Sequence, residues 1–225
     1  HWLLQASCLR RAARRDEERA LLERLLERSP SCGQAWVDLG ESLEQEGRSQ
    51  EAMAVYQRGV AHAPGHAVLH AMRADLSWSL GDRSAALAAV DRAAALDPQY
   101  IWARRAQVSW RADCGDLDGA LRHAEACLRD HPASAQSHVL LALAHGARGE
   151  HEQRITALRE ALRLEPRLGA TRLRLIDALL ELHRTDEVEP LVEQGLQLLG
   201  DEPQLLVIRV RMRRLRGELA EARAD

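Results

Sequence analysis

The sequence has no lysine, no asparagine and no phenylalanine among its 225 residues. Five Trp and two Tyr are its only aromatic side chains, so a buried core must consist mainly of Leu, Ala and Val. Since lysine is absent, arginine supplies every basic side chain other than histidine. Together with the abundance of Ala and Leu, this bias is typical of a GC-rich bacterial coding sequence.

Long apolar runs and clusters of basic residues are also missing. The formal net charge is −3, and the interspersed acidic and basic residues argue against a nucleic-acid partner. No apolar run approaches the roughly 20 residues that a membrane-spanning helix needs, so we expect no direct membrane insertion by this segment. No signal peptide is visible, and we expect a segment of a longer protein, located in either the bacterial cytoplasm or the periplasm.

The chain has no pattern of metal ligands or redox cysteines. Its four cysteines lack the Cys-x-x-Cys spacing of zinc and redox sites, and we interpret them as ordinary thiols. His62, His66 and His70 are spaced by four residues, but Pro64 and Gly65 interrupt any helix that would align them. There is also no HExxH motif. We therefore expect no metal and no other cofactor.

Sequence signatures of catalysis are absent too. No GxGxxG motif or P-loop follows a strand pattern, and no GxSxG nucleophile elbow occurs. Carboxylate pairs such as Glu41 and Glu44 lie on one face of a predicted helix, where a solvated surface is the simpler explanation. We therefore expect that this segment is not an enzyme.

What the sequence does have is a period of 34 residues. Prolines, glycines and alanines recur at this spacing: Pro30, Pro64, Pro98, Pro132 and Pro166; Gly47, Gly81, Gly115 and Gly149; Ala52, Ala86 and Ala120. A glycine of positive φ caps a helix C-terminus, and a proline stops the helix before it. A fixed period of this length indicates an array of helix–turn–helix units.

The period and its residues resemble the tetratricopeptide repeat. The best copy is Ala35 to Pro64, which matches the family signature at Trp36, Leu39, Gly40, Gly47, Ala52, Tyr56 and Pro64. The resemblance covers essentially the whole chain. It implies an all-α fold, a right-handed α-solenoid of stacked antiparallel helix pairs.

The resemblance predicts a single array over 1–225, in which Gly33 takes position 1 of a repeat. A degenerate repeat at 1–32 precedes full repeats at 33–66, 67–100, 101–134, 135–168 and 169–202. A partial repeat follows at 203–225, in which Gly217 and Ala222 continue the phase.

Some repeats depart from the family at positions 4, 7 and 11, which are normally large and buried. The second and third repeats have His70, Arg73 and Ser77, and Arg104, Gln107 and Arg111, at these positions. Either these first helices are rotated slightly, or the arginine stems pack while their charged heads reach water. Pro190 falls inside the predicted second helix of the fifth full repeat, so we expect that helix to start late or to kink.

The resemblance also implies where a partner would bind. In this family the first helix of each pair lines a concave groove, with contacts mainly from positions 2, 5, 9, 12 and 13 and with position 6 nearby. The predicted binding residues are Asp38, Glu41, Glu44, Met72, Asp75, Trp78, Trp102, Arg105 and Ser109. Trp78 and Trp102 are candidate anchors, since Trp is enriched at binding hot spots. The alternative is that either ring only packs against a neighbouring repeat.

We interpret the chain as a non-catalytic scaffold that binds another protein or peptide, one with a basic patch, through this partly acidic groove. Two alternatives stay open. The chain could be a periplasmic segment of a bacterial exopolysaccharide export protein, where it would bind a modifying enzyme or a cationic polysaccharide. It could also be the substrate-binding arm of a glycosyltransferase or sulfotransferase.

Overall fold

The computed structural model describes residues 1–216, and every regular element within them is an α-helix, as predicted. The helices are α1 (Trp2–Arg11), α2 (Arg15–Arg28), α3 (Gly33–Glu44), α4 (Ser49–His62), α5 (Ala67–Ser79), α6 (Arg83–Leu96), α7 (Ile101–Asp113), α8 (Leu117–Asp130), α9 (Ala135–Ala147), α10 (His151–Leu164), α11 (Gly169–Glu181), α12 (Thr185–Leu199) and α13 (Pro203–Arg216). Gly217 and Ala222 lie outside the described residues.

The chain divides into two compact units, His1–Trp110 (unit 1) and Arg111–Asp225 (unit 2). In unit 1, successive helices from α1 to α6 pack against each other, and α3 also contacts α5. In unit 2, successive helices from α8 to α13 pack in the same way. Because only short turns connect them, successive helices run antiparallel. Each unit is therefore a stack of helix pairs.

The core of each unit is aliphatic, as the scarcity of aromatic residues requires. In unit 1, Leu22 and Leu69 are fully buried beside Tyr56, and alanines dominate the packing between α5, α6 and α7. In unit 2, Leu158 and Leu175 belong to a cluster of Leu, Ile and Val from α10, α11 and α12. Full burial of one such side chain contributes about 1.5–3 kcal/mol.

The turn inside each helix pair depends on a left-handed residue at position 15 of the repeat. Gly47, Gly81, Gly115 and Gly149 have φ between 73° and 86°, which confirms their predicted role as caps. Two other residues adopt this conformation at the same position, His183 (φ 56°) and Ala13 (φ 57°). The turn geometry is therefore kept even where the glycine is missing.

Small residues at position 27 allow the close helix approach that the sequence predicts. A Cβ added to Gly59 would lie 2.8 Å from side-chain atoms of both Trp36 and Leu69. Gly40 faces Tyr56 even more closely, since a Cβ there would lie 2.1 Å from the phenol ring. These contacts fix the spacing between α3, α4 and α5.

One side-chain hydrogen bond recurs in all five full repeats, between position 4 and the backbone carbonyl of the proline six residues earlier. The pairs are Trp36 Nε1 and Pro30 O (2.7 Å), His70 Nε2 and Pro64 O (3.0 Å), Arg104 Nε and Pro98 O (3.1 Å), His138 Nε2 and Pro132 O (3.2 Å), and Arg172 Nη2 and Pro166 O (2.9 Å). The acceptor lies in the turn after one repeat and the donor in the first helix of the next. We call this contact the proline bond.

The polar residues at core positions of the second and third repeats are hydrogen-bonded rather than simply turned to water. His70 is 4% exposed and forms its proline bond. Gln107 is 5% exposed, and its Nε2 donates to Asp91 Oδ1 at 2.8 Å. His70 and Gln107 therefore each have at least one hydrogen-bond partner, as is usual for buried polar side chains.

Pro190 does not delay its helix, so the predicted late start is wrong. α12 begins at Thr185, the same repeat position at which Ser49 begins α4 and Arg83 begins α6. Pro190 lies inside the helix as its sixth residue. Because it lies beyond the first four amides, which lack intrahelical acceptors in any helix, it removes one intrahelical hydrogen bond from α12.

Candidate interaction surface

The nine predicted binding residues lie on α3, α5 and α7 of unit 1, and we call the surface that carries them the first-helix face. It consists of Asp38, Glu41, Glu44, Met72, Asp75, Trp78, Trp102, Arg105 and Ser109. α3 contacts α5 directly. Trp78 on α5 stacks on Trp110 of α7, with ring centroids 4.7 Å apart. The three helices therefore bring the predicted residues together on neighbouring elements.

Two of the acidic residues on α3 already bind an arginine from the preceding repeat. Arg10 Nη1 lies 3.2 Å from Glu41 Oε2, and Arg10 Nη2 lies 3.5 Å from Asp38 Oδ1. Arg10 Nε also donates to the fully buried Glu18 at 2.6 Å. Burial alone would lower the pKa of Arg10, but the Glu18 hydrogen bond and the three carboxylates raise it above its ordinary value. Asp38 and Glu41 are thus already paired, although the single charge of Arg10 offsets only part of the negative charge of the three carboxylates.

Glu44 is tied to the core through Tyr56. The Tyr56 hydroxyl donates to Glu44 Oε1 at 2.5 Å. Burial raises the pKa of Glu44, the Tyr56 hydrogen bond partly offsets this, and the charges of Asp75 and Glu41 raise it further. Burial and the Glu44 hydrogen bond raise the pKa of Tyr56 as well. Glu44 is therefore a half-buried carboxylate held in a fixed position.

Asp75 differs from Asp38 and Glu41 because it makes no ion pair within residues 1–216. Its side chain reaches water, yet desolvation by the surrounding protein raises its pKa. A carboxylate in such surroundings is stabilised by any cation that approaches it. Asp75 is therefore the acidic group on this face that is most available to a ligand.

Trp78 is a packed residue rather than an open ring. Its indole stacks on Trp110 with an interplanar angle of 5°, and the Arg83 guanidinium lies 3.8 Å from its centroid. Because the indole of Trp78 is planar, Trp110 and the Arg83 guanidinium must lie on its opposite faces. Arg83 Nη1 also donates to the Trp78 carbonyl at 2.6 Å, which fixes the guanidinium in place. Only the edge of Trp78 is left for a ligand.

Trp102 is more accessible. It meets Trp110 edge-on, with centroids 5.7 Å apart and planes at 87°, and it is half-buried. Tyr100 lies beside it at 6.0 Å with a 30° tilt. Burial raises the pKa of Tyr100, and so do the nearby charges of Asp97, Asp75 and Glu41. Tyr100 and Trp102 therefore form an aromatic surface close to Asp75.

The remaining predicted residues take smaller roles. Ser109 Oγ donates to the Arg105 carbonyl at 3.0 Å, so its hydroxyl is used inside α7. The Arg105 side chain is exposed. Met72 is half-buried and packs against the core of unit 1.

Arg10, Arg83 and Tyr100 complete this face, and the sequence reasoning did not include them. Arg10 occupies repeat position 12, the same position as Glu44 and Trp78, so the repeat register carried a signal for it. Arg83 and Tyr100 lie outside the positions that line the family groove, and only the folded geometry reveals their contacts.

Two open cavities lie between neighbouring second helices, and they are equivalent by repeat position. One, of about 610 Å³, includes Trp36 and Leu39 in its lining, and the other, of about 860 Å³, includes His138 and Leu141. Most of the charged groups at their rims already form ion pairs, for example Arg163 with Glu160 at 2.7 Å. We therefore place the candidate surface on the first-helix face.

Residues 1–216 contain neither a group of metal ligands nor a membrane-spanning helix. No group of three or more His, Cys, Asp or Glu side chains in this range could hold a metal ion. No helix in the same range is both long and apolar enough to cross a membrane.

Comparison with protein families decides the classification. The family model described as tetratricopeptide repeat matches residues 3–67 and 112–169, which together make up more than half of the chain. The chain belongs to the tetratricopeptide repeat family. The predicted family is thus confirmed, and tetratricopeptide repeats in general form non-catalytic scaffolds for protein interaction. No curated protein matches the sequence.

Solved structures with similar folds are themselves tetratricopeptide proteins or assembly factors. A tetratricopeptide repeat protein from Parabacteroides merdae is 15% identical, with a TM-score of 0.68 over 98% of this chain and 87% of its own. PilW, a type IV pilus biogenesis factor, is 17% identical, with a TM-score of 0.66 over 91% and 95%. YrrB, described as having an unusual peptide-binding site, is 19% identical, with a TM-score of 0.56 over 76% and 88%. At these identities the likeness is one of fold.

Proposed function

We propose that this chain is a scaffold that binds an extended segment of a partner protein on the first-helix face of unit 1. The observation that carries the proposal is the pair of half-buried rings of Tyr100 and Trp102 on a face that also carries the exposed carboxylate of Asp75. Apolar ring surface supplies contact area, and a charged group beside it selects the partner.

The charges of this face favour a basic partner. Glu44 and Asp75 are close enough that each carboxylate disfavours the charge of its neighbour, which is part of why the pKa of Glu44 is raised. A cationic side chain on a ligand relieves that repulsion. Arg105 is the exposed basic group on the same face, and it suits a carbonyl or carboxylate of the same ligand.

A bound peptide agrees with the solved relatives. YrrB shares the fold and is described as a protein with a peptide-binding site. An extended peptide can lie along successive first helices and contact one repeat after another, because each repeat presents the same positions on the same side.

A cationic polysaccharide is the competing ligand, since sugar rings also stack on Trp and cationic groups also pair with Asp. We favour the peptide because the same face carries the exposed basic side chain of Arg105, which would repel a uniformly cationic polymer. A peptide, in contrast, can offer a cation to Asp75 and a carbonyl to Arg105.

The test is a peptide array of varied sequence and charge, followed by affinity measurements on the binders by fluorescence anisotropy. We expect the triple variant Asp75→Asn/Trp102→Leu/Arg105→Gln to bind at least tenfold more weakly than the wild type. The matched control is Arg122→Gln/Glu125→Gln, two exposed positions on the second helix α8. An equal loss in the control, or none in the triple variant, would refute the proposed surface. A chitosan oligomer that outcompetes every peptide would favour the polysaccharide.

A further inference from the structure

Besides the exposed Arg105, the first-helix face carries two guanidinium groups that the chain itself binds, Arg10 and Arg83, and each is held by a different kind of contact. Arg10 is bound through carboxylates, with Glu41 at 3.2 Å and Asp38 at 3.5 Å. Arg83 is bound through an indole face, with its central carbon 3.8 Å from the centroid of Trp78. Charge-assisted pairing and cation–π stacking are the two ways in which proteins hold arginine most strongly.

A third place on this face offers both an aromatic ring and a carboxylate. Trp102 and Tyr100 supply rings with centroids 6.0 Å apart, and Asp75 lies one turn before Trp78 on the same face of α5. Trp78 and Trp102 both contact the Trp110 ring, so Asp75 and the two rings lie on adjoining parts of this face. Among residues 1–216, no arginine stacks on Trp102 and none pairs with Asp75. We call Asp75, Tyr100 and Trp102 the aromatic–acidic site.

The ring geometry leaves room for a planar cation. The Trp102 and Trp110 rings are nearly perpendicular, at 87°, so Trp110 is not stacked flat on Trp102 as it is on Trp78. Tyr100 is tilted by 30° from Trp102, so the two rings do not stack face to face. Both rings are half-buried, and neither is sealed in the core.

We propose that the aromatic–acidic site binds the guanidinium of an arginine in the partner peptide. The inference rests on the proposed function, since it names the ligand group for the same face. Arginine fits better than lysine because its flat guanidinium can stack on a ring while its N–H groups reach a carboxylate. The chain binds its own Arg83 by stacking on a ring and its own Arg10 by pairing with carboxylates.

The experiment uses the whole 225-residue chain and three labelled peptides. These are fluorescein-Gly-Ser-Arg-Ser-Gly-amide and its counterparts with citrulline or lysine in place of arginine. Citrulline keeps nearly the same shape and loses the charge. We expect the arginine peptide to bind at least tenfold more tightly than the citrulline peptide and several-fold more tightly than the lysine peptide.

Variants then locate the site. Asp75→Asn should weaken arginine-peptide binding about tenfold and bring it close to that of the citrulline peptide, and Trp102→Leu should weaken it to a similar extent. The matched control is Asp177→Asn, because Asp177 is exposed at the same repeat position on α11, a helix without aromatic residues. Circular dichroism and thermal melting establish that each variant is folded. Asp75→Asn changes an exposed side chain and keeps the test valid if Trp102→Leu misfolds.

Several outcomes would overturn the inference. These are no measurable binding of the arginine peptide, equal binding of the citrulline peptide, or an equal loss in Asp177→Asn. Its failure is distinguishable from failure of the proposed function. If array peptides lose affinity in the triple variant but show no preference for arginine, the surface stands and the arginine site does not. If no array peptide depends on the surface, the proposed function itself fails.

Discussion

The residue at position 4 is defined by what it donates rather than by its type. Trp36, His70, Arg104, His138 and Arg172 differ in size and charge, yet each makes the proline bond. The sequence presents His70 and Arg104 as departures from a large apolar residue. These five side chains share sufficient length and an N–H group. A comparison of their hydrophobicity does not reveal either property.

His70 should make the stability of the chain depend on pH. Its Nε2 must carry the proton, because a carbonyl oxygen can only accept, and its Nδ1 is buried without a hydrogen-bond partner in the described structure. Burial lowers the pKa of His70, and the charges of Arg73, Arg92 and His66 lower it further, while the Pro64 bond opposes them. The imidazolium form is therefore disfavoured in the folded state.

The direction of this pH dependence follows from the linkage between proton binding and folding. The unfolded chain takes up this proton as the pH falls through about 6.5, whereas the folded chain takes it up only at lower pH. The free energy of unfolding should therefore fall as the pH drops below about 6.5. We expect His70→Gln, which keeps an N–H donor but does not titrate, to show a shallower decrease between pH 8 and pH 5 in urea titrations. Identical pH dependence in both proteins would contradict this explanation.

At the scale of the element, the turn inside each pair is the feature that the sequence predicts best. Four glycines at one spacing indicate four left-handed caps, and all four are found. The same spacing leads to Ala13 and His183, but their residue types do not indicate a left-handed conformation. Their conformation is imposed by the helices on either side, and an L-residue there carries a strain of about 1–2 kcal/mol.

Opposite substitutions at this position should have opposite effects. Gly81→Ala places a Cβ at φ 86° and should lower the free energy of unfolding by about 1–2 kcal/mol. Ala13→Gly removes that strain at φ 57° but adds freedom to the unfolded chain, so we expect a net gain of about 0.5 kcal/mol. Gly65→Ala, in a turn at ordinary φ with no atom near the added Cβ, is the control. Chemical denaturation measures all three, and a gain in Gly81→Ala would disprove the role of the cap.

At the scale of the whole molecule, the candidate ligand-binding chemistry is concentrated in unit 1. The first helices of unit 2 present Leu143, Leu173 and Leu180 at the corresponding positions, all half-buried, and they contain no aromatic residue. Two units with the same helix pairing therefore differ in what they offer to a partner. The repeat sets the positions, and the side chains at those positions set the chemistry.

Hydrogen exchange with and without a bound peptide should map this difference. We expect slower exchange in α3, α5 and α7 when a peptide from the array is bound, since ordering of the face suppresses local opening there. α11 serves as the internal reference, because it carries Asp177 but lacks the aromatic rings. Protection centred on α9 and α11 would instead indicate that the peptide binds to unit 2.

The sequence predicts the helices and their pairing, because each depends on periodicity and local chemistry, and the repeat register selects the helix face that we propose as the binding surface. It does not predict which acids are free. Arg10 lies 28 and 31 residues from Asp38 and Glu41, and a long flexible side chain can reach several partners at that separation. The state of Trp78 likewise depends on Arg83 and Trp110, and neither contact follows from repeat spacing.

The proline bond also bears on how such arrays can be cut and joined. Its acceptor closes one repeat and its donor opens the next, so the contact crosses every boundary between full repeats. Any full repeat could be transplanted behind any other without loss of this contact, because each boundary has the same proline carbonyl and a side chain able to donate to it. The junction after the fifth full repeat is different, since Gly200 and Leu206 replace the acceptor and the donor together. A chimaera joined there needs both partners restored, and a graft that supplies only one would leave a polar group without its match.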